Sequence, residues 1–182
     1  MQYQLNNIIN NLTETFEGTP WHGLSLTTIL QEIDIETAFY RPFKHKHNIA
    51  ELVAHLLIWR QFALEMLNKN YAYHIDIGTN VDFPVIEKSD KDEVNDKVWF
   101  ELNALLRENQ TEILLKLDQF DATLLDEIIP KKPFTYRYLF EGVVNHDVYH
   151  AGQIALINAA HQTQETPIDE LARKIDFNTL IS

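Results

Sequence analysis

The sequence predicts an all-α protein, a four-helix bundle with a long crossover between its second and third long helices. Three observations carry this expectation. Apolar residues recur at intervals of three and four in four long stretches, the period of a helix with one buried face. The span Asn70–Ser89, between the second and third of them, has no such period and exceeds the ordinary loop length of a compact domain. Finally, 182 residues with 45% hydrophobic and 23% charged side chains are enough for one ordinary core, so residues 1–182 are expected to form a single domain. No internal repeat, low-complexity tract or linker divides the chain. Long helices with one apolar face bury those faces most simply against each other.

In chain order, Gln2–Phe16 is the first helix, with Leu5, Ile8, Ile9, Leu12 and Phe16 on one stripe and Gly18 as its stop. The turn Gly18-Thr19-Pro20-Trp21-His22-Gly23 follows. Ser25 is placed to cap a short helix through Ile33, and Asp34 another through Phe39, before Pro42 closes the region. Asn48 opens the second long helix, and Glu51 three residues on completes a capping-box pattern. Its core stripe is Ile49, Leu52, Leu56, Trp59, Ala63 and Met66, with His55 at the edge beside Trp59. In the crossover, Tyr71, Tyr73, Phe83 and Pro84 are candidate anchors, and parts of it have the composition to pair as short extended segments. Ser89 then caps a third helix over Lys91–Leu117, with Val98, Leu102, Leu105, Leu106, Ile113 and Leu117 inward and Asp92 and Glu93 favourable in its first turn. A short helical segment over Asp121–Ile129 precedes the fourth long helix, capped by Thr135 and running to Ala160; Thr166 and Pro167 open a last short one.

The formal charge of -12 argues against nucleic-acid binding, which depends on clustered Lys and Arg. The absence of cysteine excludes disulfides, thiolate metal sites and a cysteine nucleophile within this chain. MQYQLNNIINNLTETF has neither a basic start nor an unbroken apolar run, so no signal peptide is expected, and no stretch is apolar enough to span a membrane. A cytoplasmic location is therefore expected.

The fourth helix carries the chemistry. His146 and His150 are four residues apart, which on a helix stacks them with about 5–6 Å between Cβ atoms. They share one side with Leu139, Gly142, Val143, Gln153, Ile154 and Ile157, so both imidazoles point toward the core. Spacing alone leaves two readings open: a pair of hydrogen-bonded core histidines, or two nitrogen ligands closing on one ion. Neutral imidazole suits zinc, nickel, iron or copper, with zinc and nickel foremost. Any such site must be completed by His, Asp, Glu or backbone.

Three separated blocks, in order, resemble the DinB/YfiT-like superfamily of small helical proteins. They are Trp21-His22-Gly23 with Ser25-Leu26 and Ile29-Leu30; His47-Asn48-Ile49-Ala50-Glu51-Leu52-Val53-Ala54-His55-Leu56; and Gly142-Val143-Val144-Asn145-His146-Asp147-Val148-Tyr149-His150-Ala151-Gly152-Gln153-Ile154. The resemblance implies a four-helix bundle with a long crossover. It also implies one divalent metal held by His55, His146 and His150. Relatives include transferases that use low-molecular-weight thiols and a thiol-dependent isomerase, alongside many members with no assigned reaction. Dimers are common among them, which makes a homodimer the implied assembly.

Three neutral imidazoles leave a coordination position open, the pattern of a catalytic site rather than a structural one. The expected function is therefore metal-dependent chemistry on a small-molecule substrate, and the resemblance implies a transferase that activates a low-molecular-weight thiol. The alternatives are a metal-dependent hydrolase and a protein that only binds a metal or small ligand. Glu51, Tyr149 and Gln153 are the candidate catalytic residues, each with a structural alternative at a helix cap or core edge. Trp21, His22 and Gly142 are the candidate substrate contacts, Gly142 because it leaves space one turn before His146. His45 and His47 are further loop candidates, and His74 and His161 are expected on the surface. His146-Asp147-Val148-Tyr149-His150 also mimics the H-E-x-x-H metalloprotease pattern, with the shorter Asp in place of Glu and no third histidine at position 156, which is Leu.

Overall fold

Six α-helices and one short 3-10 helix make up the computed structural model, which describes residues 1–44 and 46–165. In chain order they are α1 (Gln2–Glu17), α2 (Leu26–Gln31), α3 (Ile35–Phe39), α4 (Ile49–Leu67), α5 (Asp92–Asp118), the 3-10 helix Ala122–Asp126 and α6 (Tyr136–Glu165). Among the described residues there is no strand, only an isolated antiparallel bridge between Ile128 and Thr135. The crossover is therefore turns and irregular chain, without the pairing its composition had allowed. The helix expected after Thr166 lies outside the described residues.

The helix boundaries follow local chemistry. Gly18 ends α1 where the chain passes so close to Glu14 that a Cβ would lie 2.4 Å from its Oε2 and 2.7 Å from its Cα. Asp34 caps α3 by accepting from the Thr37 amide at 2.8 Å. Asn48 and Glu51 form the reciprocal capping box on α4. Ser89 departs from expectation: it does not cap α5, whose N-cap is Lys91, and instead its backbone is held by the Asn95 side chain at 2.8 and 2.9 Å. At Thr135 the hydroxyl accepts from the Tyr138 amide at 3.2 Å, and α6 runs past His161 to Glu165.

α4 lies against α5 and α6, and α1 lies against the same two helices, so the four long helices alternate around a shared interior. α4 is the most enclosed, buried at every position from Ile49 to Leu56. One end of the core gathers Leu5, Leu12, Phe62, Ile113, Leu117 and Phe140; the other gathers Phe16, Leu30, Leu52, Leu56, Trp99 and Ile154. Each fully buried large side chain stabilises the fold by about 1.5–3 kcal/mol. The buried face of α5 differs from the apolar stripe predicted for it. Leu105 is exposed, Val98 and Leu102 are half-buried, and Asn95, Asn109 and Gln110 are buried in their place.

Gln110 is inward because a charge is buried beside it. Arg60 of α4 and Asp147 of α6 have fully buried side chains and form an ion pair. The Arg60 guanidinium also donates to Gln110 Oε1 of α5, and Gln110 Nε2 donates to the Leu12 carbonyl of α1 at 3.2 Å. The same guanidinium sits 4.7 Å from the centre of the Phe16 ring. One polar network thus ties together all four long helices. Burial pushes the Asp147 carboxyl above its ordinary range, against the pull of Arg60 toward ionisation.

Removing one member of such a pair strands the other in a dry interior. Asp147→Ala is expected to lower unfolding free energy by about 3–5 kcal/mol, while the joint replacement Arg60→Met with Asp147→Leu costs far less. Equilibrium denaturation of the two variants against the parent chain measures the difference.

Candidate metal centre

His55 reaches the bundle interior from α4, and His146 and His150 reach it from adjacent turns of α6. The His146 Nε2 atom lies 3.1 Å from His55 Nε2 and 3.0 Å from His150 Nε2, so one nitrogen of each ring faces a common point. The other nitrogens of two rings are held from behind. His55 Nδ1 is 2.7 Å from the Asp82 carbonyl oxygen and 3.1 Å from its carboxylate, and His150 Nδ1 is 2.7 Å from Gln153 Oε1. All three partners are acceptors, so the Nδ1 atoms of His55 and His150 carry the protons and their Nε2 atoms present bare lone pairs. His146 can offer a single N–H to two such neighbours.

Burial first, and neighbouring imidazoles second, keep the cluster uncharged. It pushes His146 down to about 3 and His150 down to about 4 from the ordinary 6.5. His55 is lowered as well, chiefly by burial and against the pull of Asp82. Three neutral nitrogen donors facing one another without enough protons to share make a set that a cation completes. Tetrahedral zinc at ~2.0–2.1 Å from each nitrogen separates them by ~3.3–3.4 Å, a few tenths of an ångström wider than here. The residues present fit a divalent transition metal.

The crossover builds the back of this site. The Asp82 carboxylate accepts from Trp59 Nε1 at 2.9 Å and from the Gly78 amide at 3.0 Å; Gly78 stands at φ +77°, where a side chain would be strained. Phe83 is stacked between two imidazoles, with centroids 3.6 Å from His55 and 4.0 Å from His47. Neither Asp82 nor Phe83 is marked by helical periodicity. Only the aromatic character of Phe83 had pointed to an anchor.

The other candidates are distributed unevenly. Gln153 holds His150 from behind. Gly142 lines a cavity of about 310 Å³ that also touches His55 and His146, and a Cβ there would meet nothing within 4 Å. Tyr149 is 64% exposed with its ring edge-on to His150, and it is not among the residues lining that cavity. Trp21 and His22 are exposed and do not line it either. Glu51 is buried within its cap and is engaged by Arg41 at 2.7 and 3.0 Å, by the Ile86 amide at 3.0 Å and by His47 Nδ1 at 3.1 Å. Burial raises its pKa, but these partners, Arg41 foremost, hold it below the ordinary carboxylate value. Asp147, the would-be counterpart of the metalloprotease glutamate, is turned away into its pair with Arg60. His74 is exposed as expected. His161 is half-buried, 3.0 Å from Thr37 Oγ1 and tilted against Tyr40, a correction to its expected surface position. His45 lies outside the described residues.

An all-helical protein with a three-histidine cluster of this geometry is compatible with a metal-binding class. The family follows from the sequence match: the model of the DinB superfamily matches residues 24–154, a span that contains all three histidines, and the chain belongs to that superfamily. No curated protein and no solved structure matches the chain significantly. No helix among the described residues is long and apolar enough to cross a membrane.

The acceptor behind His150 provides a test that leaves all three imidazoles in place. Gln153→Leu releases the ring's tautomer and orientation, and is expected to weaken metal affinity by about 10–100-fold without unfolding the protein. Competition titration against a chelating dye, alongside a thermal melt, checks both parts.

Proposed function

We propose that this chain is a metal-dependent transferase that activates a low-molecular-weight thiol toward an electrophilic small molecule. His55, His146 and His150 would hold the metal, with zinc or nickel best suited to three neutral imidazoles. Such an ion, when bound, acidifies a thiol or a water in its open position. The residues of the chain do the rest. Asp82 and Gln153 fix two of the three rings, Phe83 and Trp59 shield the cluster on the α4 side, and the cavity beside Gly142 gives an electrophile access to it.

The observation that carries this reading is the convergence of three nitrogens, with His55 and His146 lining a cavity in which no carboxylate among the described residues is free. Among the described residues, Asp82 is its only acidic lining residue and is already engaged by Trp59, Gly78 and His55. A thiol with an ordinary pKa of about 8.5 needs little help to ionise and no side-chain base. Metal-dependent peptide hydrolysis, in contrast, draws on a general base such as the glutamate of H-E-x-x-H. The corresponding residue here, Asp147, is locked onto Arg60. In the transfer, the thiol proton passes to solvent, sulfur bonds to the electrophilic carbon, and the leaving group departs with its electron pair.

The test supplies metal-loaded protein with a panel of small thiols and a generic electrophile, and separately with esters and amides in the absence of thiol. The expected result is turnover that requires a thiol and disappears in His150→Ala. Thiol-independent hydrolysis lost in the same variant assigns a hydrolase instead. Turnover on neither panel contradicts an enzyme and leaves a metal-binding protein.

A further inference from the structure

We infer that the substrate group seated beside the histidines is apolar, and about as large as two fused rings or one ring with a short chain. Its assignment to a substrate rests on the enzyme reading above; its chemistry is argued from the cavity itself. That cavity is about 310 Å³. This is roughly twice the ~150 Å³ apolar cavity that takes up benzene, and at the small end of the ~300–1,000 Å³ typical of ligand sites.

The walls define the polarity. Trp59, Phe62, Phe134, Leu139 and Val143 supply aromatic and aliphatic surface, and Tyr138 stands at the rim, 69% exposed. Two charged side chains of the lining, Arg60 and Asp82, are already engaged. Arg60 is fully buried against Asp147 and Gln110. The Asp82 carboxylate is held by Trp59, Gly78 and His55. An amide-like substituent buried against these walls would lose its water without a compensating hydrogen bond, whereas an apolar one gains by leaving water.

The position gives the orientation. The cavity touches His55 and His146, so one end of its occupant lies against the ligand set. Gly142 sits one turn before His146 and leaves open space where any other residue would project a side chain. A second cavity of about 360 Å³, lined in part by Phe43, Lys46, His47 and Gln153, includes none of the three histidines, so it does not offer the same seat.

The probe is indole, an apolar two-ring compound, compared with indole-3-carboxamide, whose added amide would be buried against the same walls. Both are titrated by calorimetry into the full chain, metal-loaded and metal-stripped, with the methyl resonances of Leu139 and Val143 reporting location. Indole is expected to bind saturably at one site and to shift those methyls. The carboxamide is expected to bind at least about tenfold more weakly, reflecting the unpaired buried amide. Gly142→Leu is expected to weaken indole by at least about tenfold, the effect of filling the seat, with metal content and helicity unchanged. Tyr138→Ala, at an exposed position that the fold tolerates, weakens it less. The inference is overturned if indole does not saturate, if its carboxamide binds as tightly, if the shifts fall elsewhere, or if Gly142→Leu leaves affinity unaltered. Metal content and thiol-dependent turnover are separate readouts. Indole binding without either would overturn the enzyme reading alone, and turnover without indole binding would overturn this inference alone.

Discussion

The fully buried pair of Arg60 and Asp147 sets how α4 and α6 face each other, and the histidine cluster depends on that facing. Asp147 lies one residue after His146 and three before His150, about 100° and about 60° around the helix from them. Turning the carboxylate toward Arg60 leaves both imidazoles directed at His55. Gln110 and Leu12 extend the constraint to α5 and α1, so rotation of any long helix about its axis would break a hydrogen bond in a dry interior. Such bonds are worth little when made and much when lost, which makes the network a device for selecting one arrangement rather than a source of net stability.

The crossover completes what the helices begin. It has no regular structure of its own, yet Asp82 is buried and Phe83 is stacked between two imidazoles. The order of the loop and the order of the site are therefore linked: Asp82 accepts from His55 and Trp59 on α4, and those bonds in turn hold the loop down. An apolar cavity remains on the other side, where Gly142 provides no side chain. The site thus has a polar back that orients the rings and a mainly apolar front that admits a ligand.

Much of this was legible in the sequence because helical period and cap chemistry are local. The stripes of α1 and α4, the Asn48–Glu51 cap and the stacking of His146 over His150 needed no tertiary information. The addition of His55 drew on resemblance, since a lone histidine at a stripe edge is not distinctive; the structure places it fully inside. Arg60 and Asp147 escaped because each reads as an ordinary polar residue on its own helix. The available signal was their setting: an arginine directly after the apolar run Leu56-Leu57-Ile58-Trp59, and an aspartate beside two inward histidines, require partners if buried. Gln110 turns to the inner face of α5 for the same reason, since it accepts from the buried Arg60 guanidinium, while Asn109 beside it donates to Gln61 of α4. Asp82 had no local signal, because a loop residue acquires its role only when the loop is folded onto α4.

The central claim is that three imidazoles are arranged for one metal ion, and elemental analysis of protein purified without a histidine tag tests it most directly. The account predicts about one divalent transition-metal ion per chain, lost when His55, His146 and His150 are replaced together by alanine, with a lower melting temperature in the metal-free parent because binding to the native state is linked to folding. Full metal occupancy in the triple variant, or a parent chain that stays metal-free and equally stable in excess zinc and nickel, would contradict it.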